Sequence, residues 1–307
     1  MNRRRFIGAG VAALTAPAIV LHAAAVVRDL GAGARARDVA FHPDGSIWLT
    51  LARAGALARV EPGGPVDVLP LGEGAAPFGV VWGPDDAFWI ADAGRDAVLR
   101  VEPDGAVEAM TLPSAFRPAG LRAIAVDHDG VIWFGGQEVH GRADPFTMRV
   151  DAWDAGAGVL LHRIAVTPDN QIWACDALGG GIRWFDLGSG AATRVPAPGG
   201  ARFRAMASDS RSRLWLAGSE PRLAAHEDAS GEWFEWPLPA GAPGCVDVTV
   251  DMQDRVWLAL VDGGALSFDP ASERFEAVPT GAPIDRLVAG PSGLWALADG
   301  GDLLLRL

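Results

Sequence analysis

Neither lysine nor tyrosine occurs in this chain of 307 residues, and every one of its 26 basic side chains is arginine. Schiff-base chemistry, a phosphate-loop lysine and tyrosine acid catalysis are therefore excluded. Cysteine is almost missing too: Cys175 and Cys245 stand alone, with no CxxC or other metal-ligand spacing. Positive charge is scarce, 26 basic residues against 38 acidic ones for a formal charge of −12, which argues against a nucleic-acid binder that must neutralise phosphates. There is no Gly-rich dinucleotide fingerprint, no HExxH and no GxSxG. What is plentiful is apolar and turn-forming: 50% hydrophobic residues, 12 Trp, 12 Phe and 39 Gly, with only 21% charged, which suits a large packed core and rules out a disordered chain.

Residues 1–25 read as a twin-arginine signal peptide. Asn2-Arg3-Arg4-Arg5-Phe6-Ile7 opens it, an apolar run without acids continues to Leu21, and Ala23-Ala24-Ala25 supplies a small-residue end. The run is broken by Gly8, Gly10 and Pro17 and falls short of the roughly 20 residues a span requires. Export to the periplasm or beyond is expected, with no stable membrane insertion after cleavage; a retained anchor is the alternative.

The remainder, 26–307, repeats. Trp48, Trp89, Trp133, Trp173, Trp215, Trp257 and Trp295 stand 41, 44, 40, 42, 42 and 38 residues apart. Around each lies an apolar run, a turn rich in Pro, Asp or Gly, and a second apolar run, as in RDVAFHPDGSIWLTL from Arg37 and RAIAVDHDGVIWFGG from Arg122. That is a hairpin signal. A third and a fourth short run follow, for example Ala56–Val60 and Val66–Pro70. Four strands per unit, seven times, predict an all-β fold: a seven-bladed β-propeller. The last unit ends after its third strand at Leu303–Leu307, so the N-terminal strand from Val26 is expected to close that blade and remove two open edges.

The unit Phe78-Gly79-Val80-Val81, Gly83-Pro84-Asp85, Phe88-Trp89-Ile90-Ala91-Asp92 and Val98-Leu99-Arg100-Val101-Glu102-Pro103-Asp104-Gly105 resembles the repeat of the streptogramin B lyase (virginiamycin B lyase) family. The resemblance implies a seven-bladed propeller that opens a cyclic depsipeptide by elimination with a divalent metal, usually Mg2+. Repeats of this kind specify fold better than activity.

Hairpin geometry brings the residue eleven before each Trp and the one three after it to the same end of adjacent strands. The first set is Arg37, Phe78, Arg122, His162, Arg204, Val246 and Ile284; the second includes Asp92 and Asp176. Arg37, Arg122 and Arg204 thus form a ring suited to a carboxylate, sulfate or phosphate, with Phe78 and Asp92 as neighbouring candidates. Pairing of these arginines with Asp38 or Asp92 is the alternative. In the family the resemblance implies a His at the first position, a Glu fourteen residues on, an acid two residues before that His and a second His one blade earlier. His162 and Asp176 keep the spacing, Asp standing for Glu, and are the candidate catalytic pair; Leu160 and Arg122 occupy the other two places.

Glu138 and His140, read as lying on a long loop through Asp144, would join His162 and Asp176 as oxygen and nitrogen ligands for Mg2+ or another divalent cation. The expected partner is an anionic or cyclic-ester small molecule in the central funnel, and the expected state a monomer. Three functions follow: a lyase-like enzyme, a non-catalytic propeller binding an anion or a partner segment, or a lactonase. The lactonase resemblance implies a Glu, Asn and Asp metal set, for which this chain has only Asn2 and Asn170.

Overall fold

The structure, a computed structural model, describes residues 25–61 and 64–307; the expected signal segment, up to residue 24, lies outside the described residues. Every Trp-centred hairpin forms the first two strands of a four-stranded antiparallel sheet, and seven such sheets follow one another round a ring. Blade one is Ala36–Phe41, Ile47–Leu51, Ala56–Val60 and Val66–Pro70, from the channel outwards. Blade seven takes its three inner strands from Ile284–Gly290, Gly293–Ala298 and Leu303–Arg306 and its outer strand from Ala25–Asp29. The N-terminal strand therefore closes the ring as the sequence predicts, with Ala25 opposite Arg306 and Asp29 opposite Leu303. The Asp302 carboxylate fastens the join by accepting the amides of Gly33 at 2.7 Å and Arg35 at 3.0 Å.

Second strands read as unbroken apolar runs because blades cover both of their faces. Ile47–Leu51, Phe88–Asp92 and Ile172–Asp176 are buried at every position, whereas outer strands such as Val66–Pro70 are largely exposed. The core is consequently split among the seven blade interfaces: Trp89 and Ala91 of blade two pack on Leu121 and Phe134 of blade three, and Leu223 of blade five packs on Val248 and Phe268 of blade six. Although the indole nitrogens of Trp173 and Trp295 have no partner among the described residues, in several blades the repeat Trp is anchored as well as buried. In blades three, five and six its indole N–H donates to an Asp at the head of the hairpin turn: Trp133 to Asp127 at 2.8 Å, Trp215 to Asp209 at 3.0 Å and Trp257 to Asp251 at 2.7 Å. A buried indole without such a partner would cost about 1–3 kcal/mol.

The hairpins set what reaches the channel mouth. In blades four, six and seven the inner strand carries a bulge, so that His162, Val246 and Asp285 lie unpaired between Leu161 and Arg163, Cys245 and Asp247, and Ile284 and Arg286. Arg37 and Phe78 lie within the equivalent irregularities of blades one and two. A bulge redirects a side chain out of the ladder, here toward the mouth. Blade seven departs from the gapless alignment. Val288 pairs with Trp295, seven residues on, where blades one and four pair Ala40 with Trp48 and Ala165 with Trp173, eight residues on. Its turn is one residue shorter, so Asp285, not Ile284, occupies the seventh ring position.

Candidate functional site

The ring residues line one cavity of about 410 Å³ at the end of the channel. Arg37, Arg122 and Arg204 face it from blades one, three and five, and among the described residues no carboxylate lies within 4 Å of any of their guanidinium groups. The alternative pairing is thereby corrected: Asp38 bonds Arg286 at 2.9 Å and Asp92 bonds Arg95 at 2.7 Å. Phe78 is held between two of the three, with the Arg122 guanidinium 5.0 Å and the Arg37 guanidinium 5.6 Å from its ring centre. Burial, and then the charges of Arg204 and Arg37, hold the Arg122 guanidinium below its ordinary pKa. The Arg122 Nε is buried without a partner. Three like charges gathered this way repel one another, and a negative charge among them would relieve that repulsion.

His162 stands in the same ring. Its Nδ1 lies 2.7 Å from the Arg204 carbonyl oxygen; a ring N–H donating there leaves Nε2 as an acceptor. Burial and the neighbouring Arg163 charge, with Arg204 and Arg122 behind it, push the imidazole down to about 4 against the carbonyl bond that would raise it. The ring is therefore neutral at pH 7.

One residue deeper along the inner strands lies a layer the sequence reading missed. Arg286 donates to Asp38 at 2.9 Å and to Asp247 at 2.6 Å, and Asp247 also lies 3.8 Å from Arg163. Burial alone would depress Arg286, yet the attraction of Asp247 and Asp38 outweighs it and holds the guanidinium above its ordinary pKa. Arg163 fares worse: burial and Arg286 keep it below, despite Asp247 and Asp38. This chain of alternating charge links blades one, seven, six and four and floors the cavity. Its only sequence signal is a charge immediately after the ring position in those four blades.

Other expected site residues lie elsewhere. Asp92 is fully buried and accepts the amides of Ala76 at 2.7 Å and Gly94 at 3.0 Å besides Arg95. Asp176, also fully buried, accepts those of Leu160 at 3.2 Å, Leu178 at 3.2 Å and Gly179 at 2.8 Å, and pairs with Arg183 at 3.3 Å. Both fasten loops at the mouth end, and neither bonds His162. In blades two and four, position three after the Trp shares the strand end with the ring but its carboxylate is turned away from the cavity, whereas Leu260 at that position in blade six lines it.

His140 is in the third strand of blade three, Val139–Asp144, and not on a loop. It is buried between blades, its Nε2 2.8 Å from the Gly190 carbonyl and its ring stacked on Phe185 at 4.7 Å. Glu138 is spent on the Gly158 amide at 2.7 Å. Among the described residues no three His, Cys, Asp or Glu side chains stand close enough to hold a metal ion. The donors present do not fit the divalent cation implied by the resemblance. Cys175 and Cys245 are buried and unpaired, and burial pushes each thiol up to about 12.

The sequence profile of the virginiamycin B lyase family matches residues 29–180, from the closing strand through the first hairpin of blade four. No curated protein matches the sequence. Among solved structures, a selenomethionine-substituted virginiamycin B lyase from Staphylococcus aureus superposes with a TM-score of 0.80 at 17% identity, over 92% of this chain and 98% of that one. A catalytically inactive virginiamycin B lyase from the same organism, with quinupristin, gives 0.81 at 17% identity over the same shares. YCF48 bound to D1 peptide gives 0.76 at 17% identity, over 95% and 97%. At such identities the superpositions speak for the fold alone. Profile and ring together make this chain a virginiamycin B lyase-like seven-bladed β-propeller.

Proposed function

We propose that this propeller binds a small anionic molecule, bearing a carboxylate, sulfate or phosphate, in the mouth of its channel. One observation carries the reading: Arg37, Arg122 and Arg204 converge on a single cavity with no carboxylate partner among the described residues, in a chain that is acidic overall. Charge-assisted bonds from guanidinium groups are short and planar, and each is worth about 1.5–3 kcal/mol. The leader-like segment Asn2–Ala25 supports the further proposal that binding takes place outside the cytoplasm. The test is isothermal titration of sulfate, phosphate and acetate into the protein and into the triple variant Arg37→Ala, Arg122→Ala, Arg204→Ala. Binding that disappears in the triple variant, with its melting temperature unchanged or raised, is expected. Equal binding by both proteins would sink the reading.

A second reading, a lyase acting on a cyclic ester, is favoured by the open Nε2 of His162 in the same cavity. Nε2 would take a proton from the carbon next to the one bearing the ester oxygen. The freed electron pair would form the carbon–carbon double bond as the C–O bond breaks, and the departing carboxylate would meet the arginines. The low basicity of this imidazole and the bonding of Asp176 away from it weigh against this reading. Ring opening of a cyclic ester that is lost in His162→Ala would establish it.

A further inference from the structure

We infer that the ligand is a zwitterion, its anionic group held by the arginines and an ammonium group held across the mouth by Asp262 and Asp285. This rests on the anion-binding reading above and narrows it. The cavity wall is not uniformly cationic. Blades one, three and five present Arg37, Arg122 and Arg204; blades six and seven present Asp262 and Asp285, with Val246, Leu260 and Pro283 beside them.

Each of the two carboxylates keeps an oxygen uncommitted among the described residues. Asp285 accepts the amides of Gly300 at 2.7 Å and Gly301 at 3.2 Å through Oδ2 only, and Asp262 accepts that of Gly264 at 3.1 Å through Oδ1 only. Five arginines line this cavity, yet among the described residues none comes within 4 Å of either acid, while the floor acids Asp38 and Asp247 are both within 3 Å of Arg286. The mouth therefore carries separated charges of both signs, with no ion pair within 4 Å between them among the described residues. Burial holds the Asp285 carboxyl above its ordinary pKa against the Gly300 and Gly301 amides and the more distant charge of Arg37, so a cation arriving at its open oxygen is favoured.

A ligand carrying only an anion would satisfy one arc and place a charge facing the two acids, and a simple amine would face the arginines. An anion and an ammonium joined by a short apolar segment satisfy both arcs, with the segment against Val246, Leu260 and Pro283. The volume is within the range of small-molecule sites, about 300–1,000 Å³.

The probes are ω-amino carboxylates of three to eight carbons and the unsubstituted carboxylates of equal length, titrated calorimetrically into the whole protein. At one length the amino compound is expected to bind about tenfold tighter than its match. That ratio should fall to near one in Asp262→Asn/Asp285→Asn, with the plain carboxylate bound as well or better. Because Asp285 also holds the Gly300 turn, Asp262→Asn is measured alone and must lower the ratio too, with its melting curve intact. Plain carboxylates binding as tightly as amino ones at every length would overturn the zwitterion and leave the anion reading standing. No binding by any carboxylate or by sulfate would overturn both.

Discussion

Two layers of arginine, one residue apart in depth but carried by different blades, have opposite fates. At the mouth Arg37 and Arg204 are exposed and Arg122 is half-buried, all without a carboxylate partner among the described residues. On the floor Arg163 and Arg286 are mostly buried and share Asp38 and Asp247. Depth along the inner strand decides the outcome. The ring residue, within an irregularity at Arg37 and just ahead of the strand at Arg122 and Arg204, lies at the mouth, whereas the next residue turns into the channel, where an unpaired charge could not be tolerated. The same side chain thus serves as recognition in one layer and as construction in the other.

The largest effect should come from the floor. Arg286→Ala leaves Asp38 and Asp247 buried without their main partner and is expected to cost about 3–5 kcal/mol in denaturant unfolding. The three mouth substitutions together should cost less than about 1 kcal/mol, because they remove mutual repulsion. If both changes cost the same, the division between the layers fails.

Acid should separate the layers next. An unfolded histidine takes up its proton near its ordinary pKa of 6.5, but folded His162 waits until about 4. Between these values the unfolded chain binds more protons, so this contribution to stability is complete above pH 6.5 and is lost as the pH falls to about 4. Allowing for the partial exposure of the ring, the loss should be about 1–3 kcal/mol, measured as denaturation midpoints across pH 7 to 4. Asp285, whose carboxyl is raised by burial, acts with the opposite sign. The difference between the wild type and His162→Gln isolates the histidine contribution; identical pH profiles would mean that the imidazole is not held neutral by its burial and the arginines around it.

The smallest effect concerns Phe78. Replacing it by Leu removes two cation–π contacts of about 0.5–1 kcal/mol each and frees Arg37 and Arg122 to move. Sulfate affinity, read by calorimetry, should drop about two- to fivefold. A tenfold gain would show that the ring hinders rather than aligns them.

The propeller was legible because its signals are local. A Trp, a turn and two apolar runs lie within fifteen residues, and seven copies reinforce one another. The mouth was legible where this register is regular, as at Arg37, Arg122, His162 and Arg204. It slipped at blade seven, where deletion of one turn residue exchanged Ile284 for Asp285 with little change in the apolar pattern. Asp92 and Asp176 were read as facing the ligand because strand spacing gives the end of a strand but not which way a carboxylate finds its amides. His140 was read as a loop residue because Gly135-Gly136 and Gly141 hide a short strand in a run with little apolar content. The floor was invisible for a different reason: Arg286 meets partners 39 and 248 residues away, the second on a blade that only ring closure makes its neighbour.

A ring closed by Ala25–Asp29 against Leu303–Arg306 has a seam. A pull applied through the N-terminal strand is borne first by the backbone bonds of blade seven, broken one after another like a zip, because the strand lies at the sheet's outer edge. Peeling it away would uncover Leu304 and Leu305, now almost fully buried, while the other six sheets keep all four of their strands. Mechanical weakness is thereby confined to the rim, and because Ala25 pairs with Arg306 and Arg306 with Trp295, a tether attached ahead of Ala25 would start from the end of the sheet away from the charged mouth.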